Sequence, residues 1–386
     1  MIVRSVIVIF VIFILSDDIR STLGTHLDPS DTVVQVHVSF RHGDRVLDIP
    51  ESYPNDPYKD LDLYPLSRGH LTNNGKQRAY KLGKMLRTLY NDFLGDIYDA
   101  EIVQTISTDF DRTKMSAQLV LAGLFPPNKA QQWDEELLWL PIPVNYIRHE
   151  KDTWLKRPND YCKAYYDELM RVYHDVEPEI LQENNETLQY ISQHAGKKMN
   201  SLLDVFRMQQ TQYSEEQLNF TLPEWVKKVY PEPLGSLGAK QMELENHNTL
   251  LKRLNGGNIL RKILKNAHDK IAGTLEPKGR KIYLYSGHET NAANILIALD
   301  IWDKTIPLFS SATIIELVHR NSTNEYGLKV YYHNQIAEEP ILLTVPGCGD
   351  SFCEIKKFIE VTDDVVPKNY TAECNSLVDI DTLPWE

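Results

Sequence analysis

Arg41, His42 and Arg45 fall within five residues of one another in "FRHGDR", in a chain whose formal charge is −13. Positive charge gathered against the sign of the whole molecule needs a local reason, and a bound dianion supplies one. Guanidinium groups carry forked donors that match phosphate oxygens, and they stay charged at any working pH. Phosphoryl transfer is mostly positioning plus stabilisation of charge on the equatorial oxygens. A neutral imidazole can attack phosphorus in line and leave a phosphohistidine. Arginines on both sides of His42 help by disfavouring imidazolium.

Two later segments supply the remaining parts. "SGHE" places Glu289 directly after His288, and "DFDRT" carries Arg112. A departing alkoxide needs a proton, and a protonated carboxyl beside the phosphate can give it. Glu289 is the obvious donor, provided burial outweighs the local positive charge and lifts its pKa above the ordinary value of about 4.3. Its carboxylate would then activate the water that clears the phosphohistidine. No metal-ligand spacing is present, and the chemistry needs neither metal nor cofactor. The other ten histidines, His37 and His149 among them, stand in no comparable context and read as structural or surface groups.

The elements around these residues suit the task. "TVVQVHVSF" (Thr32–Phe40) is rich in β-branched residues and reads as a strand that delivers the first cluster at its C-terminal end. A Pro- and Tyr-rich loop follows, Ile49–Pro65. Ala79, Leu82, Leu86, Leu89 and Phe93 then recur at helical spacing, with Thr72 or Asn73 as the cap. Glu101–Thr108 is a second strand, and "DRTKMSAQLVLAGLF" is a helix ended by Pro126 and Pro127. Residues 130–270 are poorer in strand signals and predict a mostly helical cap, whose Trp and Tyr side chains are expected to line a leaving-group pocket. A strand leads into His288, and a helix runs from Thr290 to Leu299. "ATIIELVH" and "LKVYYHN" predict a further hairpin at a sheet edge. Strands alternating with helices on both sides of a helical insertion imply an α/β sheet with a cap. Ligands bind such sheets beyond the carboxyl ends of the strands, where His42, Arg112 and His288 can meet.

Bulk properties limit the alternatives. With 386 residues, 42% of them hydrophobic, the chain can bury one large core or two smaller ones. Its negative balance argues against nucleic-acid partners, which need a basic face, and against docking on anionic membranes. Arg4 followed by the apolar run Val6–Leu15 reads as a secretory signal peptide, too short to span a bilayer, with cleavage expected between Ser16 and Thr25. No later run is long and apolar enough for a membrane helix, and the tail carries neither a retention signal nor a lipid-anchor signal. Four cysteines, Cys162, Cys348, Cys353 and Cys374, in an exported chain suggest two disulfides, with three connectivities open. Sequons at Asn185, Asn219, Asn321 and Asn369 mark surface positions if the chain is glycosylated.

The ordered set "FRHGDR", "LTNNGKQRAYKLG", "STDFDRTKMSA", "LFPPN", "LLWLPIPV", "NFTLPEW", "LNGGNIL", "KIYLYSGHETN" and "LTVPGC" resembles the histidine acid phosphatases, over residues 33–374. The likeness is greatest to the insect venom members and weakest at residues 145–215. It implies a mixed-sheet, phosphoglycerate mutase-like core with a smaller helical cap, in one domain spanning residues 25–386 after a signal peptide at 1–24. It implies His42 as nucleophile, Arg41, Arg45 and Arg112 as phosphate-binding arginines, His288 as a second phosphate contact, and Glu289 as proton donor where prostatic-type members have aspartate. Leu47 replaces the family's proline, which is expected to loosen the loop behind the arginines. Ser214 and Ala312 stand at the positions of a third bridge in the prostatic type, and the remaining pairs are implied to be Cys162–Cys374 and Cys348–Cys353. The expected protein is a secreted, metal-independent phosphomonoesterase acting on small substrates, with a homodimer expected from the resemblance. Two alternatives are kept. One is a phytase-like or lysophospholipid phosphatase, which Lys151, Lys156, Arg157, Lys197 and Lys198 would serve. The other is a venom or salivary binding protein with weak catalysis, against which the intact site positions argue.

Overall fold

The computed structural model describes residues 31–149 and 151–375, so the expected signal peptide lies outside the described residues. Strand β1 (Asp31–Arg41) is followed by α1 (Asn73–Leu94), β2 (Val103–Ser107), α2 (Asp111–Leu124) and the short β3 (Asn145–Tyr146). Helices α3 (Lys163–Asp175), α4 (Glu177–Glu183), α5 (Asn185–Ala195), α6 (Leu202–Gln217), α7 (Leu234–Leu244), α8 (Thr249–Leu254) and α9 (Gly256–Ala272) come next. The chain returns to the sheet with β4 (Ile282–Gly287), α10 (Glu289–Ala298), β5 (Ala312–Arg320) and β6 (Glu325–His333). It closes with β7 (Ile341–Leu343), β8 (Cys353–Glu354), α11 (Ile355–Thr362) and α12 (Tyr370–Cys374).

The sheet order is β3-β2-β4-β1-β5-β6-β7, with β8 also on β6. Strands β2, β4 and β1 are parallel neighbours, and β5 and β6 run antiparallel beyond them. The predicted hairpin is therefore real but misplaced. Its first strand pairs along the whole of β1, and β7 and β8 lie outside its second. Every residue of β5 from Ala312 to Val318 is buried, as an interior strand requires.

Alternation along the strands sorts the core into two layers. Val36, Val38 and Phe40 of β1 and Ile282 and Leu284 of β4 face Leu82 and Leu86 of α1 and Val120 and Leu124 of α2. Tyr283 and Tyr285 of β4 face the other way, against Ile259 and Ile263 of α9 and Ile295 of α10. Each such aliphatic side chain contributes about 1.5–3 kcal/mol by leaving water. Thr72 is the cap of α1, its Oγ1 accepting from Gly75 N at 3.0 Å. Disulfides join Cys162 to Cys374 and Cys348 to Cys353. The first ties α12 to the base of α3, beside a Tyr161–Tyr370 hydroxyl contact of 3.1 Å. The four sequon asparagines are all exposed.

Candidate active site

Three parallel strands end at one edge, and their last residues are tied together. His42 N donates to Gly287 O at 2.9 Å, Thr108 N to Ser286 O at 3.0 Å, and Arg41 N to Ser311 O at 2.9 Å. The predicted His42, His288 and Arg112 are thereby brought to one place from three chain segments. The loop after His42 presses on the start of α1 with no side chain between them: a Cβ on Gly43 would lie 2.2 Å from Gly75 O. Asp44 anchors the same loop through a two-pronged pair with Arg78, at 2.7 and 3.1 Å. Leu47 does not leave the loop untethered. It is buried, and Val46 N donates to His70 O at 2.9 Å and Gly69 N to Leu47 O at 3.1 Å, holding the segment behind the motif.

His42 is 1% exposed. Its Nδ1 lies 2.8 Å from Gly43 O, an acceptor only, so Nδ1 carries the proton and Nε2 keeps its lone pair. Burial, then Arg112, Arg41, His288 and Arg45, push its pKa well below the usual histidine range. The His288 ring stands edge-on to it with centroids 5.6 Å apart. Its Nε2 is 3.2 Å from Thr108 Oγ1, and burial with Arg112 nearby lowers its pKa to about 3.

Each arginine is pinned by its terminal nitrogens. Arg41 donates to Pro307 O at 2.6 Å and to Gln210 Oε1 at 2.5 Å, and lies over Phe309 at 4.2 Å. Arg45 makes a two-pronged pair with Glu51, and Arg112 Nη1 is 3.4 Å from Asp48 Oδ2. The Nε atoms of all three are buried with no hydrogen-bond partner. Buried donors without acceptors are costly; those of Arg45 and Arg112 have none and that of Arg41 has only the Glu289 carboxylate at 3.4 Å, and the three together describe an anion cradle.

Glu289 is the first residue of α10, with Oε2 3.4 Å from Arg41 Nε and Oε1 4.0 Å from Arg157 Nη2. Burial works to raise its pKa, but Arg41, His288 and Arg157 outweigh it and hold the carboxyl at about 2. The sequence-based condition for a protonated Glu289 is thus not met in the ligand-free protein. Beyond it opens a cavity of about 320 Å³. Its apolar lining comes from Phe110, Leu155, Leu203 and Phe206, with no Trp or Tyr among the described lining residues. His149 also lines it, though its sequence context gave no sign of this. Of the basic residues noted in the sequence, Lys156 and Arg157 line the cavity and Lys151, Lys197 and Lys198 do not.

Sequence reasoning missed Glu51, Asp48, Gln210 and the placement of Arg157. The pattern Asp-x-x-Glu at Asp48–Glu51 is a capping-box signature and was readable. It forms here on the short 3₁₀ helix Ile49–Glu51, inside the stretch read as a loop. Gln210 acts across the fold from α6 and had no local signal. Among the described residues, no group of three or more His, Cys, Asp or Glu side chains is arranged to hold a metal ion.

The model of the histidine phosphatase superfamily, branch 2, matches residues 46–333. Arg112, His288 and Glu289 fall inside that stretch, and Arg41, His42 and Arg45 immediately precede it. The venom acid phosphatase of Apis mellifera is 40% identical over 344 residues, covering 88% of this chain and 87% of that protein. The prostatic acid phosphatase of Rattus norvegicus is 34% identical over 359 residues, covering 91% and 92%. Among solved structures, a phytase from a Klebsiella species superposes with a TM-score of 0.69 over 92% of this chain and 99% of that one, at 16% identity. At that identity the likeness speaks to the fold alone.

Proposed function

The chain belongs to the histidine phosphatase superfamily, branch 2, and is an acid phosphatase that hydrolyses phosphate monoesters; we propose that it works through a phosphohistidine on His42, without a metal. The observation that carries this reading is the fixed tautomer of His42 inside three guanidinium groups. The Nδ1–Gly43 O bond at 2.8 Å turns the Nε2 lone pair into the attacking atom.

The steps follow from the charges. Arg41, Arg45 and Arg112 take the phosphate oxygens and the charge that develops on them. His42 Nε2 bonds to phosphorus as the ester P–O bond breaks. Glu289 passes its proton to the leaving oxygen, which departs as an alcohol. Water then attacks phosphorus, Glu289 takes the water's proton, the P–N bond breaks, and inorganic phosphate and neutral His42 result. Glu289 must be protonated for the first step, although the free site holds it at about 2. The substrate itself resolves this: a dianion on Arg41 cancels the positive charge that depresses the carboxyl and lifts its pKa into the acid range.

The phytase-like reading is disfavoured by the cavity wall. A substrate with several phosphates needs several uncommitted cations. Outside the three arginines of the cradle, Lys156 is paired with Asp160 at 3.1 Å and Arg157 with Glu245 at 3.3 Å. Among the described Lys and Arg side chains that line the cavity, Arg207 alone has no carboxylate partner. A single phosphate on a small, partly apolar alcohol fits better.

We further propose that the protein is exported, glycosylated at the four sequons and active as a homodimer, with no nucleic-acid partner and with the helices between β3 and β4 forming a cap. The disulfides and the venom relative support export. Among the described residues no helix is long and apolar enough to cross a membrane.

The deciding experiment is p-nitrophenyl phosphate hydrolysis from about pH 3 to about pH 9 in EDTA, beside His42→Ala and with alkaline-quench trapping of the phosphoenzyme, whose P–N bond survives base and not acid. An acid optimum that survives EDTA, with label on the wild type and none on folded His42→Ala, is the expected result. Activity retained by His42→Ala would refute the reading.

A further inference from the structure

We propose that Glu51 is a positioning residue: it aims Arg45 at the phosphate and tempers its charge, so the anion is held in one orientation and still leaves after turnover. This rests on the phosphohistidine reading above. Glu51 ends the short 3₁₀ turn after the motif. Its carboxylate takes both terminal nitrogens of Arg45, Nη1 at 2.8 Å and Nη2 closer still, while Nη1 also donates to Val46 O at 3.2 Å.

A guanidinium presents five N–H groups in a rigid fork. Glu51 occupies the end-on pair, and Val46 takes the remaining Nη1 hydrogen. What is left is Nε–H and the outer Nη2 hydrogen, which project from one edge. Arg45 is 4% exposed, and its Nε is buried with no hydrogen-bond partner. That edge can grip two phosphate oxygens side-on. Arg45 is also among the cations acting on His42, so the edge belongs to the nucleophile's surroundings.

Glu51 is held in its turn. Its Oε2 accepts from Asp48 N at 3.4 Å, and its carbonyl accepts from Thr211 Oγ1 in α6 at 2.7 Å. The same turn sets Asp48 on Arg112. One short element therefore delivers a carboxylate to two of the three phosphate arginines. Two effects separate cleanly. The charge of Glu51 weakens the hold on any anion, and its geometry fixes the guanidinium plane that the transition state needs.

Glu51→Gln removes the charge and turns one acceptor into a donor that opposes Nη. In this variant KM for p-nitrophenyl phosphate and Ki for inorganic phosphate should each fall about tenfold, as for one like charge removed under partial screening. Its kcat should fall about a hundredfold, the usual effect of a small misplacement. Glu51→Asp keeps the charge and shortens the reach, so kcat should fall while KM and Ki stay near wild type. Wild-type kcat, KM and Ki in folded Glu51→Gln overturn the proposal. So does a loss of activity with KM and Ki unmoved, which marks a merely structural role, or a raised Ki. If Glu51→Gln does not fold, an unchanged kcat in Glu51→Asp overturns it instead. Trapped phosphoenzyme from the wild type, run alongside, separates the two failures. Its absence removes the phosphohistidine reading whatever Glu51 does.

Discussion

If Glu289 is the proton donor, anion binding must draw a proton into the site, and Glu289→Gln must abolish that uptake. In the free protein Arg41 Nε lies 3.4 Å and Arg157 Nη2 4.0 Å from the carboxylate, which sits at about 2. An anion held on Arg41 comes within about 5 Å of it, and like charges at that distance repel by about 3 kcal/mol at an effective dielectric of about 20. That lifts a carboxyl pKa by about 2 for each unit of ligand charge. A dianion shared among three arginines thus raises Glu289 from about 2 to roughly 4–6. The sign follows: the bound state holds the proton that the free state has lost, so acid strengthens binding. Sulfate is the suitable probe, because it remains a dianion throughout and releases no proton of its own. Its affinity should fall about tenfold per pH unit from about pH 3.5 to about pH 5 and then level off. Calorimetry in buffers of different ionisation enthalpy should register about one proton taken up near pH 4. Below that window His288, at about 3, adds its own proton and blurs the result. Glu289→Gln should bind sulfate with little pH dependence, and more tightly than wild type near neutrality. A pH-independent wild type refutes the reasoning. Uptake near pH 4 that survives in Glu289→Gln also refutes it; Asp152, which lines the same cavity and is pushed by burial to about 6, is already protonated there and would show uptake only nearer neutrality.

Two other predictions concern the scaffold. The Cys162–Cys374 bridge closes a loop of sequence separation 212, and replacing both cysteines by serine should cost up to about 5 kcal/mol by the chain-entropy model; urea unfolding of the double variant checks this, and an unchanged midpoint counts against it. His37 is buried between Gln35 and Tyr285, and burial followed by Lys262 lowers its pKa from 6.5 to about 3. The unfolded chain binds that proton below 6.5 and the native state does not, so its contribution is intact at neutral pH and is lost as pH falls toward 3. Wild-type stability should decline by about 1.4 kcal/mol per pH unit from this residue alone, and His37→Gln should show a shallower slope between pH 6.5 and about pH 4; an unchanged slope assigns the effect elsewhere.

What could be read from the sequence was local and periodic. β1 announced itself by β-branched residues and by ending in charge, and α1 by apolar residues at helical spacing under Thr72. The six site positions were visible because each touches a strand end or a helix start. Glu51 and Gln210 were not, since their partners lie across the fold and no short pattern names Arg45 or Arg41 as a destination. The Asp48–Glu51 turn was hidden differently. Its capping-box spacing was present, but proline and tyrosine around it read as loop. The hairpin was misplaced because strand propensity gives no neighbour, although the long buried run of β5 suits an interior strand. Glu289 shows the same limit in electrostatics. Its type and position were legible, but the balance of burial against Arg41 and Arg157 depends on distances only the fold provides.

The strand-end bonds that align the site should outlast its activity. The amides of Arg41, His42 and Thr108 donate to carbonyls of neighbouring segments at the centre of the sheet. They can exchange with solvent only when that centre opens, so they belong to the slowest-exchanging unit of the molecule. The helices between β3 and β4 can fray without disturbing them. Activity is more exposed than these amides: α6 holds Gln210 against Arg41 and Thr211 against the Glu51 turn, so heat inactivation should follow loosening of α6 and precede exchange at His42.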